Sequence, residues 1–149
     1  MKKRYAISIL IVVLSTAINA QTLEDAFIIS QTGIIAQKVR VALIAENVAN
    51  ITSIQDEETG LPYQKRYAVL EPDELGVKIV SIEKSKRPFG KYYDPAVPQS
   101  NAEGFVSFPN VNLPDEMVTL AYTETMFEAN TTAFKATKTM VSNVIEMLK

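Results

Sequence analysis

The sequence predicts an α+β fold: two long terminal helices forming a coiled-coil-like pair, with a small β-containing insert between them. Three observations predict it. Apolar residues recur at alternating spacings of four and three over residues 22–51, which is a helical seam. The same spacing returns over 115–148. Between the two, residues 52–113 change to short β-branched and aromatic runs punctuated by Gly and Pro, the vocabulary of strands and turns.

Residues 1–20 have the three-part layout of a secretory signal peptide. Lys2, Lys3 and Arg4 lead into an apolar run over 6–14, and small residues follow at Ser15, Ala17 and Ala20. Cleavage is expected after Ala20, with Ala17 as the second choice. An uncleaved anchor is the competing reading, but the run falls short of the roughly 20 apolar residues that span a bilayer. The chain has no cysteine to carry a lipid. The mature chain, 21–149, is then expected to be one domain.

The N-terminal helix, 22–51, carries Leu23, Phe27, Ile34, Val41, Ile44, Val48 and Ile51 on its seam, with Ser30 and Gln37 at the two missing steps. At 1.5 Å per residue it would be roughly 45 Å long. The insert, 52–113, opens with turn chemistry at Thr59-Gly60-Leu61-Pro62. Strands are expected over 67–70 and 77–82, joined through Glu71-Pro72-Asp73-Glu74-Leu75-Gly76 as a hairpin with a longer loop. Residues 87–98, rich in Pro and Tyr, read as an extended loop. Phe105-Val106-Ser107-Phe108 reads as a third short strand ended by Pro109.

The C-terminal helix, 114–149, repeats the seam with Leu120, Phe127, Phe134, Val141, Val144 and Leu148, and fills its gaps with Thr123, Asn130 and Thr137. Pro114 suits the first turn, where a missing N–H costs nothing, and Asp115 and Glu116 suit the positive end of the helix dipole. Seven threonines lie in this helix, each a weak helix former. A long, weak helix with an interrupted seam draws its stability from packing. An insert of about 60 residues is too small to cover both seams, so the helices pair with each other or with other molecules. Either way the spacing sets Val41, Ile44 and Val48 against Phe127, Phe134 and Val141.

Composition narrows the function. With no His and no Cys, the commonest general base, nucleophile and metal ligands are missing. The formal charge is −2, and without Lys2, Lys3 and Arg4 it becomes −5, which argues against a nucleic-acid partner. Two carboxylate clusters, Asp56-Glu57-Glu58 and Glu71, Asp73 and Glu74, fall in turn-like segments where charge is ordinarily solvated. No catalytic, metal or cofactor site is expected, and no small-molecule substrate.

Several segments carry a resemblance. Val41-Ala42-Leu43-Ile44-Ala45-Glu46-Asn47-Val48-Ala49-Asn50-Ile51-Thr52 resembles the N-hydrophobic-A-N signature of flagellar rod and hook proteins. Tyr93-Asp94-Pro95-Ala96-Val97-Pro98 precedes Asn101-Ala102-Glu103-Gly104-Phe105-Val106. Pro109-Asn110-Val111-Asn112 comes next, followed by Glu116-Met117-Val118, Phe127-Glu128-Ala129-Asn130 and Lys138-Thr139-Met140. In this order they are similar to the proximal rod proteins of the flagellar basal body, of FlgC type, over about 23–148. Two positions depart from that pattern: Thr125 and Phe127 stand where members commonly have Arg and Tyr. The leader departs as well, since such proteins usually begin at the first helix and leave through the flagellar type III exporter.

The resemblance implies a structural subunit of the rod. It would polymerise through its terminal helices with copies of itself and other rod proteins, and transmit torque across the periplasm. The assembly interface is then expected at Val41, Ile44, Asn47, Val48, Asn50, Glu116, Met117, Leu120, Phe127, Asn130, Phe134 and Val141. Asn47 and Asn50, one turn apart, would bond a partner's backbone; for Asn50 the alternative is a left-handed helix end. Tyr92 and Tyr93 are either interface anchors or a loop pair covering the insert. The alternative function is a periplasmic helical-hairpin binding or chaperone-like module.

Overall fold

The structure is a computed structural model that describes the backbone of residues 2–55 and 60–148 and the side chains of 23–55 and 60–148. The expected leader, 1–20, and the Asp56-Glu57-Glu58 cluster lie outside the residues whose side chains are described. Helix α1 (Lys2–Ala49) is followed by strands β1 (Arg66–Asp73), β2 (Gly76–Lys84), β3 (Gly90–Tyr93) and β4 (Phe105–Phe108), and then by helix α2 (Leu113–Met147). The α+β architecture is thus as the sequence predicts.

The two helices pack against each other as an antiparallel hairpin. Phe27 meets Phe134, Gly33 meets Asn130 and Asn47 meets Glu116, so residues early in α1 face residues late in α2. Val41, Ile44 and Val48 therefore lie beside the start of α2, and Phe134 packs on Phe27 instead, with ring centroids 4.2 Å apart. Within the chain, the expected pairing of Val41, Ile44 and Val48 with Phe134 and Val141 does not occur.

On the α2 side of the helix contact the polar positions lie deepest. Glu116, Thr123 and Thr137 are the buried residues of α2, and they belong to a row of seven-residue steps that also includes Asn130. Among the described residues of α1 the buried ones are Ser30, Ala36, Leu43, Ile44 and Asn47. Small side chains sit where helix axes come closest. A Cβ at Gly33 would stand 2.7 Å from Asn130 Nδ2. The buried hydroxyls are bonded locally: Ser30 donates to Ala26 O, Thr123 to Thr119 O and Thr137 to Ala133 O, at 2.7–3.0 Å. Their burial leaves no donor orphaned. Two other atoms, Gln37 Oε1 and Thr131 Oγ1, are buried without a partner among the described residues.

The insert forms two separate antiparallel hairpins. In the first, β1 and β2 run almost to the turn, so the connection is two residues, Glu74 and Leu75, and not a longer loop. Gly76 makes this possible with φ +109, a conformation that costs other residues energy. A Cβ there would also collide with Thr32 Oγ1 and approach Ile29 Cα at 3.3 Å. The hairpin tip thus rests directly on α1. Val69 faces Ser81 but Leu70 faces Ile79, leaving Val80 as a one-residue bulge.

The second hairpin corrects the expected loop over 87–98. Gly90–Tyr93 is a strand paired with Phe105–Phe108. Aromatic contacts hold it: Tyr92 packs on Phe108 with centroids 4.7 Å apart, and Tyr93 stands edge-on to Phe105 at 5.5 Å. Such cross-strand pairs stabilise short strands that propensity alone would not. Tyr92 and Tyr93 are therefore sheet partners, although both remain exposed.

Candidate assembly surfaces and the junction between them

Four segments converge where the insert leaves α1 and α2 begins, and Asn47 is their centre. Its side chain is 1% exposed. Oδ1 accepts from Arg66 N and from Tyr63 Oη, both at 2.9 Å. Nδ2 donates to Arg66 O at 2.9 Å and to Glu116 Oε2 at 3.2 Å. All four bonds an amide side chain can make are taken inside the chain. Asn47 is thus a post to which β1 and α2 are tied, and it has no capacity left for a neighbour's backbone.

Glu116 completes the junction. Its carboxylate is 1% exposed and pairs with the Lys65 ammonium. A buried carboxylate needs such a partner, because desolvation of a lone charge costs several kcal/mol. Glu46 holds Arg66 at 2.8 Å; this hydrogen bond raises the Arg66 pKa. Burial, and then the Glu46 charge, push the Tyr63 hydroxyl up to about 12, so it stays a donor to Asn47.

The asparagines of the family-like segments do the same kind of work nearby. Asn50 keeps a negative φ, so the left-handed helix end does not occur. Its Nδ2 instead donates to Glu46 O at 2.9 Å, closing the last turn of α1. Asn110 Oδ1 accepts from Lys65 N at 2.7 Å, and its Nδ2 donates to Ser85 O and Arg87 O. Asn112 caps α2 by accepting from Asp115 N at 3.1 Å. Asn101 Oδ1 accepts from Glu103 N and Phe105 N, and Gly104, at φ +83, lies under the Tyr93 ring where a Cβ would be 2.7 Å from Cε2. These motifs encode turns and ties.

The other expected interface residues fall into two groups. Ile44 is buried, and Val41, Val48, Leu120, Phe127, Asn130 and Phe134 are half-buried along the helix contact. Met117 and Val141 are exposed. Beyond them α2 presents an outward stripe of Val118, Tyr122, Met140, Val144 and Met147, with Thr125, Ala129, Ala133 and Ala136 exposed between. This second seam also steps by threes and fours, and no described residue covers it. The periodicity was available in the sequence, but it is masked by the apolar row on the adjacent face.

Among the described residues no cluster of His, Cys, Asp or Glu could hold a metal ion. An open hollow of about 470 Å³ lies between Ile54, Gln55, Gly60, Leu61 and Pro62 on one side and the β3–β4 hairpin on the other, and among the described residues Lys91 is the one charged lining residue. A smaller groove of about 180 Å³ opens at the junction itself, lined by Arg40, Lys65, Arg66 and Glu116 among others.

Comparison with known proteins agrees with this frame. A family profile described as the C-terminal part of flagellar basal body rod FlgEFG proteins matches residues 102–147, the span from the β3–β4 turn to the end of α2. Over 144 residues the chain is 32% identical to the flagellar basal-body rod protein FlgC of Borreliella burgdorferi, covering 81% of this chain and 94% of the relative. It is 30% identical to FlgC of Bacillus subtilis over 142 residues, with 81% and 95% covered. It is 31% identical to FlgC of Aquifex aeolicus over 132 residues, with 84% and 96% covered.

Proposed function

The chain belongs to the FlgC-type family of flagellar basal-body rod proteins, and from that premise we propose that it is a structural subunit of the rod whose terminal helices polymerise and transmit torque across the periplasm. The observation that carries this reading is the outward stripe of α2. Val118, Tyr122, Met140, Val144 and Met147 are between 48% and 85% exposed, and a continuous apolar stripe of this kind marks an interaction surface. Copies of the same chain and other rod proteins are the partners. The helices bundle with neighbours in the assembled tube, the seam supplying coiled-coil-like contacts.

Residues 1–20 are then a signal peptide removed on the way to the periplasm, and 21–149 is a single rod-protein domain. Within the interface, Met117, Leu120, Phe127, Phe134 and Val141 face or flank neighbouring helices, whereas Asn47, Asn50 and Glu116 hold the subunit's own shape. No reaction is assigned: the buried ionisable groups of the junction are consumed by one another, and the chain acts mechanically. The test is purification of intact basal bodies followed by identification of their components. The chain should be present with an N-terminus at Gln21. Its absence would defeat the reading, and recovery with Met1 intact would defeat the signal-peptide part alone.

A further inference from the structure

The groove at the junction carries a charge that the chain does not use. Of its three cationic lining residues, Lys65 is taken by Glu116 and Arg66 by Glu46. Arg40, half-exposed on α1, makes no ion pair and no hydrogen bond among the described residues. A guanidinium beside two other cations gains from an added carboxylate, which it grips through two parallel N–H groups.

The complement lies at the far end of the first hairpin. Glu71, Asp73 and Glu74 are exposed, and none of their carboxylates has an ion pair or hydrogen bond among the described residues, Lys78 opposite Glu71 being the one cation across the hairpin from them. Three unpaired carboxylates within four residues thus occupy one tip. That tip is fixed in place, because Gly76 lies against Thr32 and Ile29 and Val77 N donates to Thr32 Oγ1 at 3.4 Å. Thr32 and Arg40 are eight residues apart on α1, about 12 Å along the axis. The rigid tip therefore sits away from its own groove.

We propose that the acidic hairpin tip of one copy docks in the Arg40 groove of the next. This rests on the rod reading and deepens it by naming a contact outside the helical seams. A contact between two different patches is heterologous, and repeated it builds a ring or an open filament rather than a closed pair. Charge complementarity sets which face meets which, and salt weakens the contact because the tip is exposed and the groove opens to solvent.

The test is charge reversal in the full chain. Arg40→Glu, and separately the triple change Glu71→Lys, Asp73→Lys and Glu74→Lys, should each lower recovery of the subunit in purified basal bodies by about tenfold or more, since opposed like charges cost at least that factor. The chain carrying all four changes restores opposite charge and should return to within about twofold of the wild type. Arg40→Gln, which adds no negative charge near Glu116, should show an intermediate loss, and circular dichroism should show every variant folded.

The proposal is overturned if Arg40→Glu is recovered like the wild type, or if the four-change chain stays as defective as either reversal while folded. Should the wild type itself be absent from basal bodies, the rod reading fails and the contact is decided by self-association of the pure chain. Salt-sensitive association, lost in each reversal and regained in the combination, would uphold it, and any other pattern would end it.

Discussion

The two ends of the helical hairpin are built on opposite principles. At the junction end, Asn47, Glu116, Lys65, Tyr63 and Arg66 are linked by directed hydrogen bonds and an ion pair, and nearly every polar atom has a named partner. At the far end, the last two turns of α2 display Val144, Ile145, Met147 and Leu148 at 48–85% exposure. One end has its contacts fixed within the chain, and the other shows apolar surface that no described residue covers. The difference separates what makes the subunit's shape from what is left over for neighbours.

The largest effect should come from the stretch between those ends. Phe134→Asp puts a charge into the Phe27 ring contact and should cost about 3 kcal/mol or more. Urea unfolding would show a lower midpoint for the helices, and cells should not swim. The insert should stay folded, since its hairpins do not use that contact; a swimming strain would show that assembly does not need the Phe27–Phe134 contact.

Asn47→Ala should come next. It strands the Arg66 backbone groups and one side of Glu116 in a buried site, at about 2–3 kcal/mol. Amide exchange should accelerate at residues 63–68 and at the start of α2, while protection around Phe134 is retained. Uniform loss of protection would mean the junction and the helix pair are one cooperative unit.

Tyr63→Phe is milder, about 1 kcal/mol for one hydrogen bond. It also bears on pH. The folded-state pKa is raised from 10.0 to about 12, so the folded chain holds this proton longer than the unfolded one. The corresponding stability is fully present below pH 10 and is lost as pH rises towards 12. Unfolding measured from pH 8 to 12 should fall less steeply in Tyr63→Phe than in the wild type. Equal slopes would remove Tyr63 from the network.

The smallest change in stability should come at the free end. Met147→Glu with Leu148→Glu alters residues that are 85% and 82% exposed, so unfolding should move by less than about 0.5 kcal/mol. Incorporation into basal bodies should nevertheless drop. Normal incorporation would show that the exposed end is not used.

The helices, the first hairpin and Phe105–Phe108 were legible because each has a local period. What stayed hidden was non-local. Asn47 joins Tyr63, Arg66 and Glu116 across as many as 69 positions, and no spacing rule links them. Gly90–Tyr93 looks like a loop in sequence because its strand character comes from Phe105 and Phe108 and not from itself. Thr123, Asn130 and Thr137 look like gaps in a seam because hydrophobicity scores a hydroxyl or an amide as polar. In the fold Thr123 and Thr137 bond their own helix and become the small residues that let the partner approach. Asn47 and Asn50 were assigned to a neighbour for a related reason: a motif says that an amide is needed, but not whether its partner lies in the same chain.

A member clamped at one end and free at the other is a cantilever. Helix α2 extends 35 residues from its anchored first turn, on the order of 50 Å. Helix α1 braces this helix as far as Phe134 and Thr137, so a force on the tip bends it most just beyond that support, while the tie of Glu116 to Asn47 and Lys65 fixes the opposite end. Five threonine hydroxyls bonded back to carbonyls four residues earlier favour curvature along the beam. The subunit thus has a braced span and a compliant tip, the arrangement in which load is shared among many tips instead of breaking at one.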